Sequence, residues 1–249
     1  MTTINTRLGV IQGISNNEVD VFRGIRFAEP PTGTRRFRSP IAAESWQGTF
    51  DATGWGNRSL QAPPQQFDVP EQGELSEDCL FLTVYTPAGT STREANRPVL
   101  VWIHGGAFIM GSGNGYDGSV LANQGDVVVV TVNYRLGMLG FFDLSALDPS
   151  FAGSASNGIR DQILALEWVR DNIADYGGDA NNVTIFGESA GGAAVNCILA
   201  APEADNLYHR AIAHSGGTPS MPPLDRINEL ATHLSVGADD LVNVLADMT

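Results

Sequence analysis

The chain of 249 residues has few cysteines and no segment that resembles a secretion signal. Its two cysteines, Cys79 and Cys197, are too few for a disulfide framework. One bond between them is an open alternative, but two free buried thiols are expected in a chain without a signal peptide. Residues 1–7 contain no apolar core of signal-peptide length. These features favour a cytoplasmic protein.

The chain is also poor in basic residues. It has 14 Lys and Arg against 28 Asp and Glu, which gives a formal net charge of −14. An acidic surface disfavours nucleic acid and anionic membranes as partners, and most of these charges are expected on a solvated face. No uninterrupted apolar run approaches the length needed to cross a bilayer. We therefore expect neither a nucleic-acid nor a membrane partner.

Composition is that of a globular protein, with 43% hydrophobic residues. No shift in composition marks a second domain, so we expect a single domain over residues 1–249. Residues 1–56 have the pattern of short strands and turns, with candidate strands at 8–14 and 19–26. Residues 57–78 are rich in Gln, Pro and Glu, which is typical of an exposed loop.

Short runs rich in β-branched residues follow, as expected for strands buried on both faces. They lie at 80–85, 99–103, 127–132, 183–186 and 210–214. Apolar residues at helical spacing predict helices over 159–175 and 190–200, and two more over 224–234 and 238–248. Strands alternating with helices predict an α/β fold, with a mostly parallel central sheet and helices on both faces.

Residues 187–191, Gly-Glu-Ser-Ala-Gly, form a G-x-S-x-G pattern between a predicted strand and a predicted helix. Such a strand-to-helix turn holds a serine in a strained conformation that only small neighbours permit. The Ser189 hydroxyl then stands clear of the sheet, and the next amide can face an oxyanion. We interpret Ser189 as a nucleophile rather than as part of a plain structural turn.

Two glycine-rich stretches lie near each other in the sequence. Residues 104–108, His-Gly-Gly-Ala-Phe, directly follow a predicted strand, and small residues there let backbone amides turn inward to bind an oxyanion. The alternative is a tight turn made of glycines. Residues 111–115 partly match a dinucleotide-binding loop, but Tyr116 stands where a third glycine is required. We interpret this second stretch as a flexible loop.

A serine nucleophile needs a histidine base and an acid that orients the base. Of the four histidines, His104 lies in the glycine loop, and His209 and His214 flank the strand that follows Ser189. Asp225 and His233 have the order serine, acid, histidine, but no predicted strand precedes either of them, and His233 lies on the polar side of its helix. No local triad is therefore predicted.

Several ordered motifs resemble the type-B carboxylesterases, the carboxylesterase and cholinesterase group of α/β-hydrolases, and bacterial p-nitrobenzyl esterases in particular. They lie at residues 22–31, 77–82, 102–108, 133–137 and 158–192, within a resemblance that runs from about 8 to about 217. The resemblance implies an α/β-hydrolase fold and hydrolysis of small-molecule carboxylic esters through an acyl-serine, without metal or organic cofactor. It makes Ser189 the nucleophile and gives the oxyanion amides to Gly106, Ala107 and Ala190.

The chain departs from the pattern of the resembling family at several points. In the resembling family the acid and the histidine lie further downstream, as do further strands, so the domain is expected to be incomplete at its C-terminus. No cysteine precedes Cys79 to pair with it, and residues 60–78 contain no tryptophan, which argues against choline esters. Arg26 replaces a common proline and Ala107 a common glycine.

Three hypotheses follow from the sequence: a carboxylic ester hydrolase, a truncated and catalytically impaired copy of one, and a non-catalytic esterase-like binding module. The third is disfavoured because such members of the family usually lose the serine, and Ser189 is present in an intact turn.

Overall fold

The computed structural model describes residues 1–62 except 17, then 72–89 and 94–217, and beyond these 234–237, 240 and 244. The helices predicted over 224–234 and 238–248 lie outside the described residues apart from three positions. Asp225 and His233 also lie outside them.

The described residues form eleven strands and four α-helices. The strands are β1 Thr2–Thr6, β2 Gly9–Ser15, β3 Val19–Arg26, β4 Thr49–Asp51, β5 Arg58–Ser59, β6 Leu75–Ser76, β7 Phe81–Pro87, β8 Arg97–Ile103, β9 Val128–Val132, β10 Gly178–Glu188 and β11 Arg210–His214. The helices are α1 Ser119–Gly125, α2 Gly137–Phe141, α3 Asn157–Asn172 and α4 Ala190–Leu199. Among the described helices, none has both the length and the apolar character needed to span a membrane.

The main sheet has the strand order β1-β2-β3-β7-β9-β8-β10-β11, and β4 pairs with β2 outside this path. The pairs β9–β8, β8–β10 and β10–β11 are parallel, whereas β1–β2, β2–β3, β3–β7 and β7–β9 are antiparallel. The predicted α/β class is confirmed. The parallel ladders lie where helices connect the strands, since a parallel pair needs a crossover connection.

Helices cover both faces of the sheet. Side chains alternate between the two faces of a strand, so Val84 and Tyr85 on β7 point in opposite directions. Tyr85 packs with Ala122 of α1, while Val84 belongs to the core cluster that holds Leu166 of α3 and Val195 of α4. The helix α1 therefore covers one face, and α3 and α4 cover the other.

The segment 57–78, expected as an exposed loop, contains a short two-stranded sheet and one buried residue among its described positions 57–62 and 72–78. Strands β5 and β6 pair in parallel as a small separate sheet, and Ser59 is only 2% exposed. The side-chain amide of Asn114 donates to the carbonyls of Gly56 and Gln72, at 2.8 Å each. Polar composition suggested solvent exposure, and Leu75 of β6 is indeed 41% exposed, but hydrogen bonds to distant residues hold both described ends of this segment in place.

Arg26, the residue that replaces a proline common in the resembling family, makes an ion pair. Its guanidinium binds both carboxylate oxygens of Asp78, at 2.6 and 2.7 Å, and lies over the Phe81 ring at 4.5 Å from the centroid. This two-point contact ties the end of β3 to the segment that enters β7, which gives the arginine a structural reason.

Candidate active site

Ser189 lies between β10 and α4 in a strained backbone conformation. Its φ is 55° and its ψ is −121°, a region that costs a non-glycine residue roughly 1–3 kcal/mol. Two hydrogen bonds of 2.9 Å hold it there: its N–H donates to the His214 carbonyl, and its own carbonyl accepts from Ala193. The residue is half-buried, so its hydroxyl is not enclosed by the core.

The turn around Ser189 packs directly against the end of β8. A Cβ at Gly187 would lie 2.8 Å from the Ile103 carbonyl oxygen, and one at Gly191 would overlap that same oxygen. A Cβ at Gly105 would lie 3.3 Å from the Cβ of Ser189. The structure therefore brings the predicted glycine loop beside Ser189 and explains why no larger residue fits at 187 or 191.

The glycine loop, residues 104–108, has two backbone amides that donate to no described residue. Gly106, Ala107 and Phe108 have φ of 111°, 54° and 61°, and successive residues of this kind can form an anion-binding concavity. Among the hydrogen bonds that join described residues, none has the N–H of Gly106 or Ala107 as donor. The N–H of Ala190, at the first position of α4, has no intrahelical acceptor. Within the described part of the chain, none of the three predicted donors is used in a hydrogen bond.

Ala107 occupies a conformation that does not favour alanine. Its φ of 54° lies in the left-handed region, which costs a residue with a Cβ roughly 1–2 kcal/mol. Alanine in place of glycine at this position therefore strains the backbone of the loop.

His104 is buried and has a structural role in the glycine loop. Its Nδ1–H donates to the Gly105 carbonyl at 2.7 Å, and its ring stacks on that of Tyr134 at 4.3 Å. The Tyr134 hydroxyl donates to the His104 carbonyl at 2.7 Å. Burial lowers the pKa of His104 to about 4, against the opposing effect of the Gly105 hydrogen bond, so the imidazole is neutral at pH 7.

The other two described histidines also lack a hydrogen bond to the Ser189 hydroxyl. The His209 Nδ1 accepts from the Val183 N–H at 3.2 Å, and Val183 lies five residues, about 17 Å of strand, before the end of β10. His214 adjoins the turn, but only its carbonyl bonds to Ser189. In the part of the chain that the structure describes, no hydrogen bond joins a histidine to the Ser189 hydroxyl.

Comparison with known proteins identifies the family. The model of the carboxylesterase family matches residues 1–246 of the chain. The chain belongs to the carboxylesterase family.

Relatives share both sequence and fold. Para-nitrobenzyl esterase from Bacillus subtilis is 42% identical over 240 residues, which cover 94% of this chain and 47% of that protein. Human bile salt-activated lipase is 43% identical, over 86% of this chain and 27% of the lipase. The carboxylesterase EST55 of Geobacillus stearothermophilus aligns with a TM-score of 0.88 and 38% identity, over all of this chain and 51% of that structure.

These likenesses confirm the α/β-hydrolase fold that the sequence motifs implied. The chain spans about half the length of the para-nitrobenzyl esterase and of the aligned carboxylesterase structure.

The loop at 111–115, interpreted from sequence as flexible, is buried and hydrogen-bonded. The Asn133 Oδ1 accepts from the Ser112 hydroxyl at 2.9 Å and from the Gly113 N–H at 2.7 Å. Its Nδ2 donates to the Asn114 side chain at 3.1 Å. The side chain of Asn133, directly after β9, fixes this loop, although the glycine content of the loop predicts mobility.

Sequence reasoning missed Gln61, which contacts the same region from the segment 57–78. Its side-chain amide bonds to Gly111 through both of its polar atoms. A glutamine in a Gln- and Pro-rich stretch gives no local signal of such a contact.

The buried neutral His104 predicts how the stability of this carboxylesterase fold depends on pH. Its pKa is lower in the folded state than the value of about 6.5 in an unfolded chain, so protons bind preferentially to the unfolded state. The stability that the neutral His104 contributes is intact above pH 6.5 and is lost as the pH falls towards 4. We expect a loss of about 3 kcal/mol between pH 7 and pH 4 from this group.

Urea unfolding at pH 7, 5.5 and 4 of the chain and of His104→Phe measures this effect. Phenylalanine keeps a ring against Tyr134 but cannot take up a proton. The difference in free energy of unfolding between the two proteins should shrink by about 3 kcal/mol on acidification. A difference that is constant with pH would show that His104 is accessible to protons in the folded state.

Proposed function

We propose that the protein to which this chain belongs hydrolyses carboxylic esters through an acyl-serine intermediate, with Ser189 as the nucleophile. The observation that carries this proposal is the packing of the Ser189 turn against Gly105, which sets a strained, half-buried serine beside a loop with unused amides. Membership of the carboxylesterase family supports the reaction class.

In the proposed mechanism the Ser189 oxygen attacks the ester carbonyl as its proton passes to a general base, and the base gives that proton to the alcohol as the ester C–O bond breaks. The N–H groups of Gly106, Ala107 and Ala190 donate to the negative oxygen of the tetrahedral intermediate. Each such donor typically lowers the barrier by about 3–4 kcal/mol. Water then attacks the acyl-serine and releases the carboxylic acid. The proposal needs no metal or organic cofactor.

We place the general base and its acid outside the described residues. His104 is buried and held by Gly105, His209 bonds to Val183 in the middle of β10, and the His214 side chain makes no bond to Ser189. The para-nitrobenzyl esterase is about twice as long as this chain, which leaves room in a longer protein for both groups.

The proposed substrates are small-molecule carboxylic esters. The relatives include a para-nitrobenzyl esterase and a bile salt-activated lipase, and both names indicate ester substrates. In the loop that carries the Gly106 and Ala107 amides, Ile109 is 58% exposed. Its side chain offers a contact to an apolar group of the substrate.

A chimera tests the proposal. Residues 1–217 replace the matching part of the Bacillus subtilis esterase, and the product is treated with a fluorophosphonate ester. We expect stoichiometric labelling, located at Ser189 by peptide mass spectrometry, and hydrolysis of p-nitrophenyl acetate. A folded chimera that is labelled elsewhere, or not at all, would contradict the proposal.

The second candidate, a catalytically impaired chain, rests on the placement of the described histidines. Loss of the base of a serine triad leaves mainly binding and oxyanion stabilisation. Residues 1–249 alone should therefore turn over p-nitrophenyl acetate orders of magnitude more slowly than the chimera. Comparable rates would exclude this candidate and would require a base within the chain.

We also propose a cytoplasmic location. Cys79 is buried and Cys197 half-buried, and both are free thiols, the form expected in a reducing compartment. Burial raises the pKa of the Cys79 thiol to about 12, so this thiol stays protonated. Fractionation of cells that express the gene from its own promoter tests the location, and enzyme in the secreted fraction would overturn it.

A further inference from the structure

Gln61 makes a paired amide contact with the backbone of Gly111. Its Oε1 accepts from the Gly111 N–H at 2.7 Å, and its Nε2 donates to the Gly111 carbonyl at 2.9 Å. The same Nε2 donates to the Ser59 carbonyl at 3.1 Å. The side chain thus holds both polar groups of one loop residue, much as a neighbouring strand would.

Gly111 in turn packs against His104 and Gly105, at the start of the loop that carries the Gly106 and Ala107 amides. Its φ is 106°, and a Cβ there would lie 2.6 Å from the Gly105 carbonyl oxygen and 2.7 Å from the Nδ1 of His104. The N–H groups of Ile109 and Met110 both donate to the Gly106 carbonyl at 3.0 Å. The loop from 104 to 111 is therefore closed on itself, and Gly111 is the point at which its end meets its beginning.

The segment that carries Gln61 is anchored in the protein. The buried Ser59 Oγ accepts from the Leu136 N–H at 3.1 Å. The next amide, that of Gly137, donates to the Phe108 carbonyl at 2.7 Å. Gln61 and the loop are thus tied to the same stretch, 136–137, from two sides, so Gln61 acts from a fixed position.

We infer that Gln61 is a positioning residue that fixes the amides of Gly106 and Ala107 through its clamp on Gly111. The inference rests on the proposed function, since it assigns those amides to the oxyanion. Donors of this kind act on charge that develops only in the transition state. Loss of the clamp should therefore slow acylation of Ser189 while leaving the first, reversible binding step unchanged.

The test uses the chimera defined above as the parent and three variants of it. Gln61→Leu removes both polar atoms at similar volume, Gln61→Ala removes the side chain, and Gln124→Leu makes the same chemical change at an exposed position of α1. Labelling by a fluorophosphonate ester is followed at several reagent concentrations, which separates the rate constant of phosphonylation from the dissociation constant of the reversible complex. Amide exchange at residues 104–111 is followed by NMR.

We expect the phosphonylation rate constant to fall about tenfold in Gln61→Leu, with the dissociation constant within about twofold of the parent. Gln124→Leu should match the parent in both. The Gly111 amide should be protected from exchange in the parent and lose that protection in Gln61→Leu. A changed dissociation constant with an unchanged rate constant would overturn the inference.

Amide exchange separates failure of the clamp from failure of the proposed function. If the parent is not labelled at Ser189, the proposed function fails, and exchange decides on the clamp alone. Unchanged exchange at 104–111 in the Gln61 variants overturns the inference. If neither variant folds, the parent decides, because an unprotected Gly111 amide there would exclude the clamp.

Discussion

Replacement of Ser189 by alanine in the chimera is expected to lower kcat/KM for p-nitrophenyl acetate by at least about 10⁴-fold. The substitution removes the atom that forms the acyl bond, and the remaining oxyanion donors and binding contacts sustain only a small acceleration over water. Because alanine is smaller than serine and the residue is half-buried, the fold should tolerate the change. Steady-state rates together with thermal unfolding measure both effects.

Two companion variants make the Ser189 result specific. Ser119→Ala makes the same change on α1, far from the turn, and should leave the rate within about twofold. Ser189→Cys keeps a nucleophilic atom in place and should retain covalent labelling by a thiol-reactive ester. Hydrolysis that survives in Ser189→Ala at more than a hundredth of the parent rate would show that another group attacks the ester.

The parts of the fold that the sequence predicted are those with a local pattern. The β-branched run at 183–186 and the small residues around Ser189 encode a strand and a tight turn within about ten residues, and both are present as β10 and the turn before α4. The G-x-S-x-G and His-Gly-Gly motifs are local in the same sense. Their juxtaposition followed from the parallel sheet, whose strands end at one edge.

The contacts that sequence reasoning missed join residues far apart in the chain. Gln61 and Gly111 are 50 positions apart, and Arg26 and Asp78 are 52 apart. Neither partner carries a periodic pattern, and a polar side chain in a polar stretch resembles an exposed one. The antiparallel half of the sheet was hidden for a similar reason, because a run of apolar residues does not reveal the direction of its neighbours.

Replacement of Asp161 by asparagine is expected to destabilise the protein by about 3–5 kcal/mol. The Asp161 carboxylate is fully buried on α3 and accepts three hydrogen bonds from Arg135: from the backbone N–H at 3.0 Å, from Nε at 2.8 Å and from Nη2 at 2.7 Å. The side chains of the two residues are 0% and 2% exposed. Asparagine keeps the shape but leaves the buried guanidinium without a counter-charge, and its NH₂ group faces donors.

A surface pair in the same helix provides the matched control. Arg170 and Asp171 also form an ion pair, at 2.8 Å, but their side chains are 48% and 38% exposed. Asp171→Asn should cost less than about 1 kcal/mol. Urea unfolding of both variants at pH 7 compares the same chemical change at a buried and at an exposed position.

The double replacement Arg135→Met and Asp161→Leu separates the cost of an unpaired charge from the value of the pair itself. If the buried charge causes the loss, this variant should recover part of the stability that Asp161→Asn loses, since apolar side chains carry no desolvation cost. Arg135 Nη1 also donates to the Arg38 carbonyl at 2.7 Å, so recovery should be incomplete. Equal losses for Asp161→Asn and Asp171→Asn would show that water reaches Arg135 in solution, contrary to the 2% exposure of its side chain.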